Sequence, residues 1–357
     1  MRHVDALFVV CGFGLFGCAS AAGDPDAEAS ELEAGLSGGK LAYQQIDISA
    51  GPEGYDFFGA TGLSDRGEVF GLAPRCTEVT CDFDLFKLDR ELEFSLVAPG
   101  FLPAEVNGQG DVGGCVITDL ELFTTQAAIV HANGSIEVLP ALPGEVSSCI
   151  QQLSDNETAV VSSFDAGYVE TLYVVRNGHT FPFTVEGAQI RDVNDQGVVA
   201  GIVSTVDGDR AFRFDARAQT TEILAPVPPD PNSWGLALNR RSEVLGYSFI
   251  FSETERIGKW NRDGEFETYF VEGTPEFPTV SNELIWNEAG LIVVSLTTDA
   301  NTYLIPKPGV RVNLQDLVVD GAVVPPALVA FDINERGDFV AASLEDGSTQ
   351  LYRRTRP

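Results

Sequence analysis

The chain is poor in positive charge. Its 22 Lys and Arg stand against 53 Asp and Glu, for a formal charge of −31. Nucleic-acid binding requires a basic surface that releases counterions from phosphates, so that class of partner is disfavoured. Adhesion to anionic lipid by charge alone is disfavoured for the same reason. Histidine occurs three times and methionine once in 357 residues, and apolar stripes at helical spacing are hard to find. The one Gly-x-Ser-x-Gly string, Gly35–Gly39, lies among small and acidic residues rather than between a strand and a helix, and there is no Gly-x-x-x-x-Gly-Lys phosphate loop and no His-Glu-x-x-His. Serine or zinc hydrolysis therefore has no support. What the sequence does have is 36 Gly and 23 Phe, with short apolar runs broken by Gly, Asn, Asp and Pro. That texture points to an all-β chain.

The first residues carry an export signal. Arg2 and His3 precede an apolar run from Ala6 to Gly17, too short to span a bilayer but suited to a signal peptide. The run ends in Leu15-Phe16-Gly17-Cys18, which resembles the bacterial lipobox. The resemblance implies a signal peptide over 1–17 and lipidation at Cys18, with Ala19 favouring the outer membrane. An ordinary secretory peptide, or a chance Cys in an apolar run, is the alternative. Residues 18–39 hold Asp24, Asp26, Glu28, Glu31 and Glu33 among small residues. Such a segment buries too little to offset its ordering entropy and reads as an acidic flexible tether.

Residues 40–357 contain a repeat. Its copies are Leu63–Gly71, Val106–Gly114, Leu153–Val161, Val193–Gly201, Leu238–Gly246, Trp286–Val294 and Ile333–Ala341. They lie roughly 40 to 48 residues apart, within the range of propeller repeats. An apolar residue ends one strand, and Asn or Ser opens the turn by bonding its own backbone. Gly three residues later supplies a positive φ. The turn residues are Asn107 and Gly110, Asn194 and Gly197, Asn239, Asn287 and Gly290, and Asn334 and Gly337. The copies with Glu157 and Ser242 lack the Gly, so looser or differently built turns are expected there. Four strands per copy make a seven-bladed β-propeller. The seventh copy stops after its third strand, while a stray strand, Leu41–Ile48, precedes the first. The N-terminal strand is expected to close the last blade, covering edges that an open array would leave bare.

The fourth copy, Val193 to Phe214, ends in Ala211-Phe212-Arg213-Phe214. It resembles the bacterial extracellular HAF-type repeat, which reads approximately Asn-x-x-Gly-x-Val-x-Gly followed by an Ala-Phe-aromatic strand. Arg210 stands where that family has His. The resemblance implies a surface or secreted β-protein and carries no chemistry.

Past the lipobox, Cys76, Cys81, Cys115 and Cys149 remain. An even number in an exported chain suggests two disulfides. Cys76 and Cys81 flank a short loop, so a local pair is expected. The positions of Cys115 and Cys149 suit a staple between adjacent blades. His131 and His179 have no ligand partner at metal spacing and read as hydrated turn or strand residues. Loops between second and third strands hold Asp119, Glu121, Asp165, Glu170, Asp207, Asp209, Glu253, Glu255, Asp299, Glu345 and Asp346. A propeller would gather them into an acidic rim. No cofactor is expected, except that this rim offers a place for a divalent cation such as calcium. Trp260 and Trp286 are expected in blade cores, and Trp234 is left open. The leading reading is a surface-tethered, monomeric, non-catalytic binding propeller. It would take an envelope protein or glycan as partner and touch the membrane through its lipid alone. The alternatives are a carbohydrate-active enzyme using paired carboxylates and a structural envelope lipoprotein.

Overall fold

In the computed structural model, the described residues are 42–76, 81–119, 124–251, 253–273, 280–296, 300–319 and 321–355. The expected signal peptide and tether, with Cys18, and also Glu121 and Asp299, lie outside them. Seven four-stranded antiparallel sheets follow one another along the chain, each in simple up-and-down order. The first strands are Gly59–Leu63, Phe101–Val106, Glu145–Leu153, Ala188–Val193, Asn232–Leu238, Val280–Trp286 and Leu328–Ile333. Each packs against the first strand of the next blade, and the seventh packs against the first, so the blades form a closed ring.

The seventh sheet contains both ends of the ring. Thr349–Thr355 pairs on its outer side with Ala42–Asp47, in a register running from Ala42 opposite Thr355 to Asp47 opposite Gln350. Tyr43 anchors this strand. Its ring is fully buried edge-on against Phe339, and its hydroxyl donates to the Gly337 carbonyl at 3.0 Å. The expected closure by the N-terminal strand is what the structure shows.

The core is distributed rather than central. Seven apolar clusters occupy the seven interfaces between neighbouring blades. Phe70 and Leu85 of the first blade, for example, meet Phe101, Val106 and Val130 of the second. This follows from the strand pattern. A blade whose second and third strands are apolar on both faces must bury both, one against each neighbour. Trp260 and Trp286 lie in these interfaces, as expected. The small residue ending several copies also has a reason. A side chain at Gly201 would sit 2.1 Å from the Gln189 carbonyl, and one at Gly246 only 1.9 Å from that of Trp234.

The turns correct one expectation. Those at Glu157 and Ser242 are built like the others. Glu157 donates its N–H to the Ser154 carbonyl at 3.0 Å and Ser242 to that of Asn239 at 2.9 Å. Both residues adopt the glycine conformation, with φ of 61° and 59°. Left-handed backbone costs a non-glycine residue roughly 1–2 kcal/mol, which the surrounding hydrogen bonds can hold.

Cys76 pairs with Cys81, and Cys115 of the second blade pairs with Cys149 of the third. The second disulfide spans 34 residues, the first only 5. By loop-closure entropy, replacing both Cys115 and Cys149 with Ala should destabilise the fold by about 3–4 kcal/mol, against about 2 kcal/mol for the Cys76/Cys81 double variant. Denaturant unfolding of the two variants checks the order.

Candidate functional site

The up-and-down order divides the ring into two faces. Turns between first and second strands share one face with those between third and fourth. Loops between second and third strands share the other with the connections entering the next blade.

On the turn face the recurring Asn acts on two blades at once. The Asn107 side-chain oxygen accepts from the backbone N–H groups of Gln109 at 3.1 Å and Asp111 at 2.8 Å. Its amide nitrogen donates to the Ser154 carbonyl of the next turn at 3.3 Å. Asn194 reaches Asn239 at 2.9 Å, Asn287 reaches Asn334 at 3.2 Å, and Asn334 reaches Ser64 at 3.1 Å. A side-chain amide has both an acceptor and two donors, so it can cap its own turn and still bond the next. Asn239 instead turns its nitrogen to Glu243 at 2.8 Å. Gly110, Gly197, Gly290 and Gly337 all carry the positive φ assigned to them.

The residue after this Asn or Ser adds a second circle of bonds. Asp155 accepts from Gly108 N–H at 2.8 Å, Asp195 from Asn156 at 2.9 Å and Glu288 from Arg240 at 2.6 Å. Glu335 accepts from Glu288 at 3.0 Å, and Asp65 from Glu335 at 3.0 Å. Arg240 reaches over the fourth blade to Asp155 at 3.0 Å and also faces Asp195 at 3.5 Å. Deeper in the ring, Asp332 accepts from the Leu63 N–H of the first blade.

Burial dominates the titration of these acids. It pushes Asp332 up to about 8 and Asp65 and Glu288 up to about 7, against the lowering effect of the N–H groups they bind. Asp155 rises to about 6 despite its N–H partner and Arg240. Each folded value lies above the unfolded carboxylate range near 4, so the folded state holds more protons. That stability is complete below the unfolded value and is lost as pH rises through the folded one. The melting temperature should therefore climb as pH is lowered from about 8 to about 5. Asp332→Asn should flatten the upper part of that slope in a calorimetric pH series.

The described acids of the expected rim lie in or beside the loops between second and third strands, but much of this acid serves the loops themselves. Asp165 accepts from the N–H groups of Gly167 at 2.7 Å and Val169 at 3.0 Å. Glu170 accepts from the Ser162 hydroxyl at 2.5 Å. Asp209 takes the Ser204 hydroxyl at 2.8 Å and the Trp234 indole N–H at 3.1 Å. Asp346 takes Ser348 N–H at 2.9 Å, which holds its carboxyl below the usual range. Glu255 is buried, Asp119 is half-buried, and Asp207, Glu253 and Glu345 are exposed. More distinctive is the apolar surface between them. Tyr168, Val169, Val206, Phe251 and Leu344 stand exposed in these loops, with Phe57 and Val323 in the connections beside them. On the turn face, Leu92 stands exposed in a turn and Ile136 just after one, while Leu96, Val138, Ile223 and Val271 are exposed along outer strands and Val146 at the start of a first strand.

His131 overturns a sequence expectation. Rather than lacking carboxylate partners, its Nδ1 lies 3.7 Å from Asp111 Oδ1 and 3.2 Å from Glu157 Oε1, and its Nε2 lies 3.4 Å from Glu137 Oε2. Asp111 and His131 flank Val112 and Val130, which are paired in the register, while Glu157 arrives from the third blade. Strand pairing, not sequence spacing, makes this cluster. His179 is exposed on an outer strand, as expected.

A small cavity of about 170 Å³ lies between blades five and six, lined by Arg241, Glu243, Lys259, Tyr269, Trp286 and Glu288 among others. Glu243 is held below its usual range: hydrogen bonds from Asn239 and Lys259, and the charge of Lys259, outweigh its burial. Ligand pockets usually run from about 300 to 1,000 Å³, and both carboxylates are committed, Glu243 to Lys259 at 3.0 Å and Glu288 to Arg240 N–H. The cavity gives the paired-carboxylate enzyme little to stand on.

Ring, blades and stitched turns define a seven-bladed β-propeller. Solved structures of the same kind include the β-propeller domain of the Trilobed protease from Pyrococcus furiosus, at TM-score 0.55 and 8% identity, covering 88% of this chain and 97% of that one. The streptogramin B lyase structure matches at TM-score 0.50 and 10% identity, over 88% and 98%. Pyrococcus horikoshii acylaminoacyl peptidase matches at TM-score 0.54 and 13% identity, over 84% of this chain and 52% of the peptidase. At such identities the likeness is one of fold. No family model matches the sequence, and no curated protein does.

Proposed function

We propose that this protein is an exported, lipid-anchored, non-catalytic propeller that presents its loop face to another protein of the cell envelope. The carrying observation is the segregation of exposed apolar side chains. Apart from those along the strands, they are concentrated in the non-repeating loops and connections of one face, while on the opposite face the turns between first and second strands are tied up in inter-blade hydrogen bonds. Exposed apolar side chains gathered on one face are the kind of surface that a partner buries. Two disulfides fit an oxidising compartment. The lipobox resemblance at Cys18 and the acidic tether support a domain held off a membrane, and the resemblance to HAF-type repeats supports a surface or secreted setting.

A glycan ligand is the weaker reading, because the tryptophans that stack on sugars are engaged elsewhere. Trp260 and Trp286 are buried, and Trp234 is half-buried with its N–H bonded to Asp209. The test compares the natural protein with Tyr168→Ser/Val206→Ser/Phe251→Ser in crosslinking to envelope proteins and on a glycan array. Crosslinked partners lost at least tenfold in the triple variant, at unchanged melting temperature, support the proposal. Equal crosslinking by both proteins, or glycan binding that survives the substitutions, contradicts it. Lipid labelling lost in Cys18→Ala tests the anchor separately.

A further inference from the structure

We propose that Asp111, His131 and Glu157 form a binding site for a first-row transition-metal dication of the zinc class, clamping blade two to blade three. One oxygen or nitrogen from each residue lies within 4.8 Å of the others. Metal–ligand bonds of about 2.0–2.2 Å place neighbouring donor atoms about 3–4 Å apart. The 3.2 and 3.7 Å separations at His131 Nδ1 fall in that range, and Glu157, with the most exposed of the three side chains, can close the remaining gap.

The surroundings suit a cation in three ways. Asp111 is buried and oriented, with Oδ1 accepting from Ala132 N–H at 2.9 Å and Oδ2 from the Asn107 amide at 3.2 Å. One lone pair of each oxygen is still available. The Nε2 side of His131 faces Glu137 at 3.4 Å, the carboxylate–histidine arrangement that fixes a metal-bound imidazole with Nδ1 free to ligate. Charge also balances: two carboxylates and a neutral imidazole cancel the charge of a dication. An imidazole donor argues against calcium, which takes oxygen ligands, and for Zn²⁺, Co²⁺ or Ni²⁺. Three protein ligands leave a coordination position for water. The site joins the same two blades as the Cys115–Cys149 disulfide, from the turn face.

Position 157 supplies a clean test, since Glu157 occupies the repeat's glycine position at φ 61°. Glu157→Gly removes a ligand while relieving the backbone, so it should fold at least as well as the natural protein. The protein is stripped with chelator, then titrated with Zn²⁺ by calorimetry and with Co²⁺ by visible absorption. One ion per chain is expected, with a rise in melting temperature on Zn²⁺ addition. Affinity should fall at least tenfold in Glu157→Gly and in His131→Ala, with loss of the cobalt absorption. Glu137→Gln, a positioning change, should weaken binding about tenfold. No zinc binding by the natural protein, or equal binding by Glu157→Gly, overturns the proposal.

Discussion

A variant lacking Ala42–Asp47 should fail to complete a cooperative fold. The deletion removes the outer strand of blade seven and the fully buried Tyr43 ring. Losing a buried aromatic alone costs about 3–5 kcal/mol. The deletion also frees the Leu317 carbonyl and the Val319 N–H, which bond the Tyr43 backbone at 2.8 and 2.9 Å, and it bares the edge of Thr349–Thr355. The sum approaches the about 5–15 kcal/mol that holds a domain together. Tyr43→Phe, which loses just the hydroxyl bond to Gly337, should cost about 1 kcal/mol. Denaturant melts followed by near-UV circular dichroism separate the two. A deletion variant that melts like the natural protein would show that the strand is an ornament.

The second large effect is expected at Asn334. Its oxygen accepts from Arg336 and Asp338 N–H groups at 3.1 and 2.9 Å. Its nitrogen bonds Ser64 across the junction of blades seven and one at 3.1 Å. Asn334→Ala leaves these buried groups unsatisfied, at about 1 kcal/mol or more each, for a total of about 3–4 kcal/mol. Asn261 is the control. It caps its own surface turn through Asp263 and Glu265 N–H groups at 2.9 and 3.0 Å, and among the described residues its side chain bonds only within that turn, so Asn261→Ala should cost about 1 kcal/mol. Equal losses in chemical denaturation would mean that turn capping alone accounts for the recurring Asn.

The same Asn shows how far the sequence can be read. Its spacing reveals the blades, because a hairpin needs a capping side chain and a left-handed residue at fixed offsets. The stray strand before the first copy and the missing strand after the last reveal the closure. The stitching between turns is hidden, since nothing local to Asn107 says that its nitrogen meets Ser154. Glu157 misleads for a related reason: the turn is held by neighbouring blades, which outweigh the local preference for glycine. The cluster at His131 is hidden because its ligands come from two strand ends and a third turn, at separations set by blade size rather than by any motif. The exposed apolar loops carry no repeat and no pattern, so only the fold gathers them on one face.

Ring closure by the N-terminal strand underlies every assignment of face and neighbour. Native-state amide hydrogen exchange reads it residue by residue. Amides of Tyr43 to Ile46 that hydrogen-bond within the sheet should exchange as slowly as those of Phe339–Ser343 in the same blade, opening together with the global unfolding of the ring. Exchange of that strand as fast as a free terminus, with Thr349–Thr355 equally unprotected, would contradict the closed seven-bladed ring.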